Sequence, residues 1–145
     1  MSDDPTFDLK GFVPYLLNQA AEETSRQFET FYKARYGMLR TEWRVVFHLG
    51  RYGELTAKDI CDRARLHKTK VSRAVHALEE KRYLSRAANQ TDRRREWLSL
   101  TPGGMRVFLD LVQEAKRFDT QLLDHFTETE RDLLKGVLTK LARLS

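Results

Sequence analysis

Arg93, Arg94 and Arg95 stand in a row inside NQTDRRREWLSLT, residues 89–101, directly before a short apolar run. Three like charges in succession repel one another, and an external anion is the simplest reason to keep them together. A second set has a different spacing. Thr69, Ser72, Arg73 and His76 fall at i, i+3, i+4 and i+7 in LHKTKVSRAVHALEEKRYL, so a helix would carry them on one face. Val71, Ala74, Val75 and Leu78 would form the opposite, apolar face. Such a polar face suits a DNA major groove, which admits one helix: arginine can donate two hydrogen bonds to guanine, and serine or threonine can meet bases or phosphates. Lys68 and Lys70 add positive charge near a helix start, where a phosphate is already favoured. The triple arginine fits the tip of a β-wing entering the minor groove, where negative potential is concentrated. Asp92, two residues before Arg94, can steer its guanidinium or brace the turn.

The charge balance agrees with a local site. The 145-residue chain has a net charge of +5, and residues 66–97 hold nine basic side chains, Arg86 among them, against four acidic ones. The rest of the chain is therefore neutral, which favours one polyanion-binding segment over a generally basic surface.

Other chemistries find no residues to carry them. There is no nucleophile elbow or phosphate loop, and His48, His67, His76 and His125 lack the paired spacing of a zinc site, so no enzyme, cofactor or metal is expected. The lone Cys61 excludes an internal disulfide and reads as a small core residue in a helix. The opening MSDDPTFDLK has neither a basic nor an apolar leader region, and no apolar run approaches the roughly 20 residues of a membrane span. These features predict a cytoplasmic protein with no membrane partner. Tyr15, Phe28, Trp43 and Phe47 are helically spaced aromatics that read either as core or as the lining of an aromatic ligand pocket.

The elements that must position these residues follow from periodicity and capping. Hydrophobic content of 41% with only three prolines allows long helices. A first helix is expected over 12–36, with Pro14 in its first turn and Gly37 at its end. A second follows Thr41 and ends before Gly53. Thr56 with Asp59 resembles a capping box opening a third, through about residue 64, and Leu66 is expected to start the fourth. YLSRAA and REWLSL flank a turn-rich centre and predict a hairpin. Thr101-Pro102 opens a fifth helix with apolar residues from Met105 to Phe126. Thr127 with Glu130 opens a last one bearing Leu133, Leu134, Val137, Leu138, Leu141 and Leu144. The order predicts a mainly α protein with a small β-wing, a winged helix-turn-helix.

LTAKDICDRARLHKTKVSRAVHALEEKRYL, followed by DRRREWLSLTPGG, resembles the MarR family of bacterial transcriptional regulators. The resemblance covers nearly the whole chain and is most specific in VSRAVHALEEK and in DRRREWLSLT, with Asp92 and Arg94 in the Asp-x-Arg positions. It implies a homodimer with a helical dimerisation region from residues 1–38 and 103–145 and a DNA-binding region at 39–102. It also implies pseudo-palindromic operators, a repressor's role, and release from DNA by a small, often aromatic or phenolic, anionic effector bound between the two regions. The last helix agrees, being too apolar for one protomer to cover. Two positions depart from the family pattern. Arg82 stands where the family often has glycine, and a left-handed residue there would cost arginine roughly 1 kcal/mol, so a different helix end is expected. No cysteine precedes Cys61, which speaks against the family's first-helix thiol sensor. The competing reading is a winged-helix protein-interaction module whose basic segment attracts acidic proteins or RNA without sequence preference.

Overall fold

Pro14, whose ring presets a helical φ, lies in the first turn of α1 (Val13–Tyr36) in the computed structural model, which describes residues 7–92 and 94–144. A short 3-10 turn, Leu9–Gly11, precedes it, capped by the Asp8 side chain. Gly37 closes α1 at φ 63°, a left-handed conformation in which its N–H reaches the Lys33 carbonyl at 2.9 Å. Within α1 only Phe28 and Tyr32 are buried, and its first half leaves Val13 and Leu16 in solvent beside Phe12.

The second helix, α2 (Arg40–Tyr52), starts earlier than Thr41 suggested. Leu39 is its N-cap, and the Glu42 carboxylate accepts the Leu39 N–H at 3.2 Å, which supplies half of a reciprocal cap without a side-chain acceptor at Leu39. The third, α3 (Ala57–Ala64), has the complete form. The Thr56 hydroxyl accepts from Asp59 N–H at 3.1 Å, and the Asp59 carboxylate accepts from Thr56 N–H at 3.0 Å. The fourth, α4 (Lys68–Glu80), begins two residues after the expected Leu66. His67 is the N-cap, its Nδ1 accepting the Thr69 N–H at 3.2 Å.

At the other end of α4 the expectation that Arg82 would force a different termination is overturned. Arg82 adopts φ 64°. Its N–H reaches the Glu79 carbonyl at 2.9 Å and the Tyr83 N–H reaches that of Leu78 at 3.0 Å, the bonding of a Schellman cap.

Strands β1 (Leu84–Ala88) and β2 (Glu96–Leu100) pair antiparallel, Leu84 opposite Leu100 and Ala88 opposite Glu96. Leu55, between α2 and α3, exchanges two backbone hydrogen bonds with Leu98 and anchors the hairpin's root to the helices. The interior joins α2, α3, α4 and the hairpin through Val45, Val46, Leu49, Ile60, Val71, Val75, Leu78, Leu84 and Leu98, each buried. Burying such a side chain contributes roughly 1.5–3 kcal/mol.

The fifth helix, α5 (Pro102–Leu123), opens on Thr101, whose hydroxyl accepts from Gly104 N–H at 3.0 Å and donates to the Arg82 carbonyl at 2.7 Å. Gly104 lies so close to the Tyr83 backbone that any Cβ would collide with the Tyr83 carbonyl oxygen. The chain through Leu109 forms one compact unit, and a second runs from Asp110. The second holds the rest of α5 and α6 (Glu128–Leu141), joined by a Lys135–Asp119 ion pair at 2.9 Å. Phe126 falls in the connecting turn rather than in α5, and Thr127 and Glu130 form the expected capping box. Leu133, Leu134, Val137, Leu138 and Leu141 of α6 are all exposed. Among the described residues, no helix is long and apolar enough to cross a membrane.

Candidate nucleic-acid interface

The apolar face of α4 is buried at Val71, Ala74, Val75 and Leu78, so helical geometry turns Thr69, Ser72, Arg73 and His76 outward, and all four are exposed. Lys68 and Lys70 are exposed in its first turn. His76 lies 3.1 Å from Glu80, one turn further on.

Arg86 has a different placement from the other cations. From β1 its Nε donates to Glu79 of α4 at 3.2 Å, which ties the wing to the helix.

The wing tip is built by two short polar side chains. Buried Asn89 uses its Oδ1 to accept from the Thr91 N–H at 3.0 Å, the Thr91 hydroxyl at 2.7 Å and the Asp92 N–H at 3.2 Å. Asp92 then accepts from the Arg94 N–H at 3.0 Å and lies 3.4 Å from Arg94 Nε and 3.6 Å from Arg95 Nε. The Arg94 side chain is nevertheless 92% exposed. Asp92 holds the backbone of the tip while the guanidinium stays available. Arg93 lies outside the described residues.

A cleft of about 510 Å³ separates the wing from α3 and α4, with Lys58, Lys68, Ser72, Arg94 and Arg95 on its walls and Val75 and Leu98 in its lining. Two helices and the wing contribute these cations, while Glu96 also lines the cleft and Lys58 pairs with Asp62 at 2.9 Å. The Thr56 backbone N–H holds the Asp59 carboxyl below the usual carboxylate range, with Arg63 and Arg95 acting in the same direction. Cys61, expected as a core residue, is only partly buried and lines this cleft. Lys58 and Asn89 were not singled out from sequence. Asn89 stood in a turn-rich stretch that could have marked it, whereas Lys58 joins the cleft only through the packing of α3.

The aromatic residues separate into two groups. Phe28, Trp43 and Phe47 pack edge to face, with centroids 5.4 Å apart for Phe28–Trp43 and 4.8 Å for Trp43–Phe47, and Phe108 continues the row at 5.5 Å from Phe47. Tyr15 precedes Phe28 by thirteen positions on α1, about 20 Å along the helix, and does not join them. Tyr32, absent from the sequence-derived pocket, sits among these rings instead. Burial pushes its phenol up to about 12. Among the described residues its hydroxyl has no well-formed hydrogen bond, although Trp43 offsets part of the burial cost. Arg44 is part-buried, its pKa lowered by burial and by Arg40, and it donates to the Ala64 carbonyl at 3.3 Å.

Residues 36–95 match the sequence model of the MarR family. YwaE of Bacillus subtilis, an uncharacterized HTH-type transcriptional regulator, is 25% identical over 126 residues, 87% of this chain and 74% of that protein. A MarR/EmrR family transcriptional regulator from Acinetobacter sp. ADP1 superposes with a TM-score of 0.83 at 29% identity, covering 94% of this chain and 96% of the other. BpsR of Bordetella bronchiseptica, whose DNA binding is regulated by 6-hydroxynicotinic acid, shares the fold at 18% identity and a TM-score of 0.82, covering 96% of this chain and 99% of its own.

Proposed function

We propose that this chain, whose residues 36–95 match the MarR model, is a transcriptional regulator of that family, and that it binds double-stranded DNA sequence-specifically as a homodimer and represses transcription until a small organic anion releases it. The observation that carries this reading is a single cationic surface. The exposed face of α4 and the adjoining cleft meet a wing from which Arg94 projects on a turn braced by Asn89 and Asp92. In this reading Arg73, Ser72, Thr69 and His76 face base edges or phosphates in the major groove, Lys68, Lys70 and Arg95 meet phosphates, and Arg94 enters the minor groove. Arg86 acts through the wing, by its pairing with Glu79. Residues 39–102 form the DNA-binding region, and residues 1–38 and 103–145 supply dimerisation, for which the exposed apolar side chains of α1 and α6 are the support. Two-fold symmetry places the half-sites about 10 base pairs apart, one helical turn.

Release follows linkage. An effector frees DNA only if it binds the DNA-incompetent state more tightly. The ring cluster of Phe28, Trp43 and Phe47, with part-buried Arg44 beside Tyr32, supports an aromatic anion in that role, as does the likeness to BpsR.

Selection of bound duplexes from a random pool tests the reading directly and should recover a two-fold motif. A pool that yields no motif would favour the interaction-module reading. With the recovered duplex, Arg94→Ala should weaken binding roughly tenfold, about 1.4 kcal/mol, while sedimentation shows the dimer intact. Wild-type affinity in that variant would remove the wing from the mechanism. Salt should steeply weaken binding to both selected and scrambled duplexes, yet the ratio between the two affinities should persist.

A further inference from the structure

We propose that Lys81 is a positioning residue: it locks the DNA-reading helix α4 to the end of α1 and thereby sets which half-site spacing the dimer accepts. The inference rests on the DNA-binding reading above. Lys81 is the C-cap of α4, at the opposite end of the helix from Lys68 and Lys70. Its ammonium donates to the Gly37 carbonyl at 2.9 Å and to Glu42 Oε1 at 2.7 Å. Glu42 Oε2 accepts the Leu39 N–H at 3.2 Å, so both carboxylate oxygens are engaged. One ammonium therefore joins the C-cap of α1, the first turn of α2 and the end of α4. A second link connects the same ends: the rings of Tyr36 and Tyr83 meet edge to face, with centroids 6.4 Å apart.

Burial sets this pair apart from the chain's surface ion pairs. The Glu42 side chain is 6% exposed and that of Lys81 30%, whereas both partners of Lys58–Asp62 are more than half exposed. An exposed pair contributes little because water competes for both partners. A buried carboxylate needs its cation, yet replacing a whole buried pair by uncharged groups is often neutral for stability, so what the pair most plainly supplies is a single geometry. That geometry has leverage. The 24 residues of α1 span about 36 Å, and their exposed apolar first half is where a second protomer would pack. A rotation of about 10° over a lever of about 30 Å moves α4 by about 5 Å, more than the 3.4 Å rise of one base pair.

The test measures affinity for the selected duplex and for versions with the half-sites moved one base pair closer or further apart. The Glu42→Gln/Lys81→Met double variant removes both charges and keeps an amide oxygen for the Leu39 N–H. It should still dimerise and bind scrambled duplex as wild type does, while its preference for the native spacing falls about tenfold. Lys81→Arg, which keeps the cation and its donors, should retain the preference. A purely structural role would lower the melting temperature and every affinity together, leaving the spacing ratio at its wild-type value; that result overturns the proposal. Where the double variant fails to fold, Glu42→Gln alone makes the same comparison, with an unchanged ratio again counting against it. A wild-type protein that binds all duplexes alike would fail the DNA-binding reading itself. The clasp is then read from spin labels at Asn18→Cys and Glu80→Cys in a Cys61→Ala background. Their distance distribution should broaden in the double variant, and equal widths would sink the clasp.

Discussion

Arg82 shows how a single residue can be placed against its own preference. Its φ of 64° is a conformation glycine adopts without cost and arginine does not. The cap bonds to Glu79 and Leu78 hold it there, as does the Thr101 hydroxyl on its carbonyl, so its surroundings over-determine the backbone. Arg82→Gly should therefore stabilise the protein by about 1 kcal/mol, read as a higher urea midpoint at unchanged slope. A lower midpoint would mean that the arginine side chain contributes more than its backbone strain costs. The sequence flagged the position but not its outcome, because the bonds that impose the conformation come in part from Thr101, nineteen residues away.

At the scale of elements, the caps legible in the sequence included the reciprocal threonine–carboxylate ones, whereas Thr41 falls inside α2 rather than capping it. Thr56 with Asp59 and Thr127 with Glu130 formed as their spacing predicted, because such caps are local and need no tertiary partner. The starts of α2 and α4 were misplaced for the converse reason. Leu39 offers no acceptor, and His67 caps through a ring nitrogen, outside the usual set. The α3 cap carries a pH signature. Folding holds the Asp59 carboxyl below its ordinary range, so the ionised form is favoured in the native state. The resulting stability is complete above the unfolded value, near 3.8, and fades as pH falls through the folded one. Asp59→Asn should cost about 0.5–1 kcal/mol near neutral pH, and denaturation at about pH 3 should find that difference reduced. A difference independent of pH would assign the effect to something other than charge.

For the whole molecule, the exposed apolar side chains are the feature that a lone protomer leaves unexplained. Leu133 is 62% exposed, Val137 50% and Leu141 53% along α6. Apolar side chains exposed along one helix are what an association surface presents, and the dimer proposed above would use them. Val137→Glu should shift the protein toward monomer in sedimentation, lower its melting temperature and weaken operator binding. A variant that stays dimeric at micromolar concentration would place the interface elsewhere. The chain by itself determined the order of helices and hairpin, the outward face of α4 and the cationic segment, since periodicity, caps and charge are properties of neighbouring residues. Tertiary structure alone decided that Arg86 pairs with Glu79, that Tyr15 stands apart from the ring cluster while Tyr32 lies inside it, and that Lys81 reaches Gly37 and Glu42. Those outcomes depend on which elements come to lie side by side, and no local spacing encodes the distance between residues 81 and 37.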